Sequence, residues 1–309
     1  METPPSDRLP ARGIGLAVSA YLVWGLTPLY WKAIAEFPAT EVLIPRILWS
    51  VVLLWVIAQA TGRMSEIGAD GGKAWLWTAT AALLLAGNWG VFIYAIQIDQ
   101  VIATSLGYYI NPLMSILLGM LILGERLNPL QALAVAVAAV GVTTLTLMAG
   151  ELPWISLVLA LSFALYGLIH KLRPQPPLGG LLREMLVLSP IALLALAGFA
   201  SGAVSEAPST LTQASLGQHA VLSLTGLVTI VPLLLFHAAT KQLPLVAVGM
   251  FQYIAPTITL GLATFVYGEP FTRSHAIGFG LVWMGLILFS YDSIRRSRAQ
   301  RANQAALRT

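Results

Sequence analysis

The sequence predicts an all-α integral membrane protein with ten transmembrane helices in two inverted five-helix repeats. Three observations lead there. First, 57% of the 309 residues are hydrophobic and 10% are charged, whereas soluble domains carry charge on about 25% of theirs. The mean hydropathy is +0.80. Most apolar surface must then face lipid, which admits only helices or a closed barrel. Second, the apolar runs are long and continuous rather than alternating over about ten residues, which selects helices. Third, one motif is written twice, 144 positions apart: Tyr109-Ile110-Asn111-Pro112 leading to Gly124-Glu125, and Tyr253-Ile254-Ala255-Pro256 leading to Gly268-Glu269. Ala103/Ala247, Leu118/Leu262, Ala132/Ala276 and Gly141/Gly285 match at the same offset. If each half crosses a membrane an odd number of times, the second copy enters from the opposite side, as in the inverted repeats of secondary transporters.

Stretches of about 20 apolar residues, the length a bilayer core requires, fall in order at 12–34, 42–60, 74–97, 101–123 and 130–149, then at 153–170, 180–200, 219–240, 244–267 and 275–292. Between them, Thr61-Gly62-Arg63 to Gly71-Gly72-Lys73, Arg173-Pro174-Gln175-Pro176-Pro177 and Ser201 to Gln213 have turn or loop chemistry. Only Ile98-Asp99-Gln100 parts the third span from the fourth. The first span is too long for a signal-peptide core and lacks a convincing cleavage site, so it reads as a retained helix. The chain divides into an N-terminal tail at 1–11, a first repeat at 12–149, a second at 150–292 and a basic tail at 293–309.

Loop charge sets the orientation. Counting alternate connections, one side receives Arg8, Arg12, Arg63, Lys73, Arg126, Lys171, Arg173, Lys241 and the tail arginines, while the other receives Lys32 and Arg273. The positive-inside rule then puts both termini in the cytoplasm of a cell whose inner membrane holds the protein, with Glu125 inside and Glu269 outside. The net charge of +4 belongs to these loops and to anionic headgroups, not to nucleic acid. With no cysteine, thiolate metal sites and thiol nucleophiles are excluded. No HExxH, Walker A or GxSxG motif is present, so an enzyme, a metal centre or a cofactor is not expected.

The tenfold apolar pattern, the duplication and the paired Tyr-Ile-x-Pro and Gly-Glu elements resemble the drug/metabolite transporter superfamily and its EamA repeats. More narrowly, the string from Ala20 through Trp24-Gly25-Leu26-Thr27-Pro28-Leu29-Tyr30-Trp31-Lys32, with Arg46, Asn88-Trp89 and Ser105 to Leu113, is similar to the RarD branch, often labelled chloramphenicol-sensitive or chloramphenicol-resistance permease. The resemblance covers nearly the whole chain. It implies an exporter-like permease and names no substrate.

Proline inside a membrane helix removes a donor and frees the carbonyl four residues earlier, so Pro112 frees Tyr108 and Pro256 frees Gln252. Their equivalent places suit a pair of hinges; a static kink is the plainer alternative. Trp24, Thr27 and Tyr30 on the first span, Asn88 and Tyr94 on the third, Tyr108, Tyr109 and Asn111 on the fourth, and Gln252 and Tyr253 on the ninth put polar atoms where lipid offers no partner. They form either a substrate cavity or interhelical bonds that satisfy one another.

Arg46 follows Pro45, which suits a first helical turn. It either snorkels to the surface, pairs with Glu36 or Glu41, or binds an anionic substrate group; Arg183 holds the matching place in the second half. His237 is the candidate for proton coupling by its chemistry, although a lone histidine one turn from Lys241 also suits the cytoplasmic interface. Glu184 and Asp99 read as lying near helix ends, and Glu125 and Glu269 as turn residues. Small residues on the fifth and tenth spans suit repeat-to-repeat packing or a homodimer. The function expected is a secondary transporter exporting a small amphipathic molecule by alternating access. A membrane-embedded accessory or lipid-handling subunit is the alternative.

Overall fold

The computed structural model describes residues 9–68, 72–97, 101–149, 154–203, 209–266, 268 and 273–306. All regular structure among them is helical: α1 (Ala11–Ala33), α2 (Ala39–Ala60), a 3-10 turn (Met64–Ile67), α3 (Gly72–Gln97), α4 (Val101–Ile122), α5 (Pro129–Ala149), α6 (Trp154–Leu172), α7 (Pro177–Ala200), α8 (Thr210–Gln213), α9 (Leu216–Thr240), α10 (Leu245–Gln252), α11 (Ile254–Phe265) and α12 (Arg273–Ala306). Among the described residues, eight segments are long and apolar enough to cross a membrane, and α4 contributes a shorter apolar stretch at Gly107–Ile122.

The helix ends follow local chemistry. Ser215 and Gln218 form a capping box at the start of α9. Asn128 Oδ1 accepts from the amides of Leu130 and Gln131, at 2.9 and 3.0 Å, to cap α5. Gly62 and Gly202 follow α2 and α7, and Gly124 and Gly268 follow α4 and α11, all with φ between 66° and 73°, the left-handed conformation that ends a helix most easily on glycine.

Four sequence expectations change. The ninth span is two helices, α10 and α11, meeting at Tyr253, whose amide bonds to Met250 in a tightened turn (3.4 Å), because Pro256 has no amide to give the Gln252 carbonyl. α2 begins at Ala39, so Pro45 lies inside the helix and not in its first turn. α8 forms within the Ser201 to Gln213 loop. α12 continues beyond 292 to Ala306, supported by Asp292 with Arg296 at 3.0 Å and with Arg295 at 3.7 Å. The boundary at 98–100, with Asp99, and Glu269 lie outside the described residues.

Packing repeats between the halves. α1 packs on α9 and α11, and α6 packs on α3 and α4; α2 meets α7, α4 meets α10 and α5 meets α12. This pairing is what a two-fold relation between halves generates. It extends to single atoms: a Cβ on Gly141 would stand 2.7 Å from the Gly278 carbonyl, and one on Gly285 would stand 2.6 Å from the Ala134 carbonyl. Gly141 and Gly285, like Ala134 and Gly278, are 144 positions apart. In lipid, where apolar side chains gain little by leaving their surroundings, such close backbone approach supplies the van der Waals contact that holds helices together.

Candidate substrate site and a buried ionic cluster

Arg46 lies about two turns into α2 and points to α9 and α3. Its Nε donates to Thr229 Oγ1 at 2.9 Å, the one hydrogen bond the guanidinium makes among the described residues. Its Cζ sits 3.8 Å from the centre of the Trp89 ring and 5.3 Å from that of Trp31. Half-buried cation–π contacts of this kind contribute about 1–2 kcal/mol. The Tyr108 phenol is 45% exposed, lies within electrostatic reach of Arg46 and rests its ring near Phe92. Neither carboxylate considered for Arg46 pairs with it. Glu41 Oε2 instead accepts from the Ser209 and Thr210 hydroxyls and the Leu211 amide, and Glu36 accepts from Gln218.

An aromatic layer sits beneath this site where α1, α6 and α9 meet. Trp24 stands 5.7 Å from both Phe163 and Phe236, and Tyr166 stacks on Phe236. Trp24 therefore belongs to this layer. Tyr30 lies nearer the end of α1, its hydroxyl donating to the Val221 carbonyl at 2.9 Å.

The other grouped residues go elsewhere. Asn88 Nδ2 donates to the Leu159 carbonyl and Ser162 Oγ, both at 2.9 Å, tying α3 to α6. Ser115 Oγ stands 3.3 Å from both Asn111 Oδ1 and Gln252 Oε1, linking α4 to α10. Tyr109 donates to the Pro256 carbonyl at 3.2 Å, and Tyr253 is buried with a hydroxyl that makes no hydrogen bond among the described residues. Tyr94 is 48% exposed beside Trp154. Pro112 lies in unbroken α4, its carbonyl against Gly249 of α10, while Pro256 follows the break at Tyr253. Two small hollows, of about 130 Å³ beside Glu36 and Phe37 and about 200 Å³ beside Trp49 and His219, are lined by none of these residues.

A second polar site lies on the far side of the aromatic layer. His237 is not alone: it is buried, its Nε2 is 2.6 Å from the Tyr166 hydroxyl, and its ring stacks on His170. Glu184 is equally buried and touches both Tyr166 and His170. Packing of α6, α7 and α9 creates this cluster, and Tyr166 and His170, one helical turn apart on α6, were its available signal. Nearby, Glu125 accepts from the Leu245 and Val246 amides at 2.7 and 2.8 Å. A residue of the first half thus satisfies the exposed donors and positive dipole end of α10 in the second.

The model of the EamA-like transporter family matches this chain twice, over residues 11–147 and 152–291. The chain belongs to the EamA-like transporter family. An uncharacterised transporter of Pseudomonas aeruginosa is 41% identical over 290 residues, covering 93% of this chain and 96% of that protein. Protein RarD of Escherichia coli is 38% identical over 93% of this chain and 96% of its own length. The chloramphenicol-sensitive protein RarD of Pseudomonas aeruginosa is 30% identical over 95% and 98% respectively. A crystal structure with 14% identity superposes with a TM-score of 0.71 over 91% of this chain and 98% of its own, a likeness of fold. As an EamA-family member the chain is a multi-pass membrane transporter of a small molecule, not an enzyme.

Proposed function

We infer that this chain exports a small amphipathic metabolite or drug-like compound across a bacterial inner membrane by alternating access. Ten crossings in two inverted repeats, over 12–149 and 150–292 with both termini cytoplasmic, carry the movement. The observation that supports it most is Arg46: a half-buried guanidinium, held by one hydroxyl and stacked on Trp89, within otherwise apolar helices. Such a group suits a substrate with a carboxylate or other acceptor and a flat apolar body. Trp24, Trp31 and Tyr108 would line the path of that body, and Asn88, Tyr109, Asn111 and Gln252 would hold the helices in place around it. Pro112 and Pro256 serve as the hinges, with the break at Tyr253 giving the second half the readier bend.

The test begins with an untargeted metabolite comparison of cells lacking and overproducing the protein. Compounds that change, together with chloramphenicol, prompted by the name of the Pseudomonas relative, are then offered to vesicles holding the purified protein alone. Saturable flux is expected for at least one of them. A protein that only supports another subunit would move none.

A further inference from the structure

Glu184, His170, Tyr166 and His237 close a polar cluster among α6, α7 and α9, none of them more than 6% exposed. The hydrogen bonds fix a proton count. Tyr166 donates its single proton to Glu184 Oε2 at 2.9 Å, so its oxygen accepts from His237 Nε2–H at 2.6 Å. With Nε2 carrying a proton, Nδ1 is where His237 gains or loses one. That atom is buried, and the Pro177 carbonyl lies within reach of the ring. His170 Nε2 stands 2.9 Å from Glu184 Oε1, and the two imidazoles stack with centroids 3.7 Å apart and planes inclined by 26°.

Charge balance selects one further proton. A buried carboxylate without a counter-charge is costly, and one proton on the imidazole pair cancels it. A second proton would place two cations face to face. Both histidines lie in the last turns of their helices, whose C-terminal dipoles favour an imidazolium.

Other ionisable groups on the surrounding elements have partners of their own. Lys171 donates to the Thr240 and Leu243 carbonyls, with Glu125 in electrostatic reach, and Arg183 donates to Gln175 Oε1. Arg63 and Glu66 pair at 3.9 Å on the 3-10 turn against α7, and Tyr21 of α1 packs on Phe236. The ligand atoms of His170, Glu184 and His237 lie within 4.8 Å of one another, yet stacked rings present faces to each other and do not converge two nitrogens on one ion.

We propose that Glu184, His170 and His237 together hold one exchangeable proton whose arrival and departure shift the transporter between its two accesses. This rests on the alternating-access reading. Losing the proton strands a carboxylate among three helices and favours a state that admits water to it, whereas regaining it favours the closed packing seen here.

Four histidines make the proton directly observable. Nitrogen-15 histidine spectra of the purified protein, assigned with His170→Gln and His237→Gln, should show His170 and His237 changing together in one shared step as the pH is varied. Glu184→Gln should weaken proton binding by about tenfold or more. If that variant does not accumulate, Tyr166→Phe replaces it and should split the shared step into two. The absence of native cysteine allows the second measurement: Thr240→Cys, fully buried here, should react with a maleimide at a rate that changes severalfold with pH, and Glu184→Gln should abolish that change.

Independent titration of the two histidines, or proton affinity unaltered by Glu184→Gln, overturns the proposal. So does displacement of the proton by equimolar zinc ions, which would reassign the cluster to a metal. Labelling that follows pH equally with and without Glu184 removes the proton site but leaves alternating access standing. Labelling that never changes while the histidines share a proton removes the coupling, and the vesicle flux assay judges the transport reading separately.

Discussion

The second helix of each half carries an arginine about two turns from its start, and the surroundings of the two differ. Arg46 is half-buried, stacked on Trp89 and held by one threonine. Arg183 is 2% exposed and bonded to Gln175 at 2.5 Å, beside a cluster whose members bond to one another. The backbone plan is shared, down to the Gly141 and Gly285 contacts, while the chemistry is not. The Arg46 guanidinium keeps donors that no described residue takes up and is half-exposed to a ligand, while Arg183 is sealed inside the packed helices. On the proposed reading, equivalent positions of a duplicated transporter carry separate tasks, one recognising cargo and one holding structure or charge.

Replacing the two arginines should separate those tasks. Arg183→Ala removes a buried, hydrogen-bonded charge and should cost about 3 kcal/mol or more, read as loss of folded protein in detergent. Arg46→Ala should leave the melting temperature within a few degrees but lower flux of the identified substrate by about 10–100-fold, the loss of a charge-assisted bond of about 1.5–3 kcal/mol. Equal stability losses in the two variants would erase the distinction.

The link between halves comes next in size. Glu125→Gln keeps the side chain's shape but removes the charge that faces the first turn of α10, and should destabilise the protein by about 1 kcal/mol. Thermal unfolding measures it, and an unchanged midpoint would mean that α10 does not depend on the first half for its cap.

The smallest effects concern the bonds between helices. Asn88→Ala and Tyr109→Phe should each cost about 0.6 kcal/mol of stability and leave substrate affinity in the folded fraction unchanged, in contrast to Arg46→Ala. Weakened affinity at normal stability would return these residues to the cargo site.

Much of the fold was legible because lipid permits few structures. Long apolar runs placed the helices, and the 144-residue offset identified the glycines that meet across α5 and α12. The break at Tyr253 was not legible, since Tyr-Ile-x-Pro is written in both halves and α4 passes through its copy unbroken; packing, not the local motif, decides. Arg46 stood out as a charge within an apolar run. Glu184 did not, because its partners Tyr166 and His170 come from another helix, α6, and only folding brings them within hydrogen-bonding distance. Asn88 and Asn111 looked available because a sequence shows a polar side chain without showing the carbonyl or hydroxyl that satisfies it.

The central claim is that equivalent loops of the two halves face opposite sides of the membrane. Ser65, in the 3-10 turn after α2, and Ser201, after α7, are exposed and follow the second helix of each half, and no native cysteine interferes. In intact cells an impermeant thiol reagent should label Ser201→Cys and should reach Ser65→Cys only after the membrane is opened. Labelling of both from outside, or of neither, would contradict the inverted arrangement on which the whole account stands.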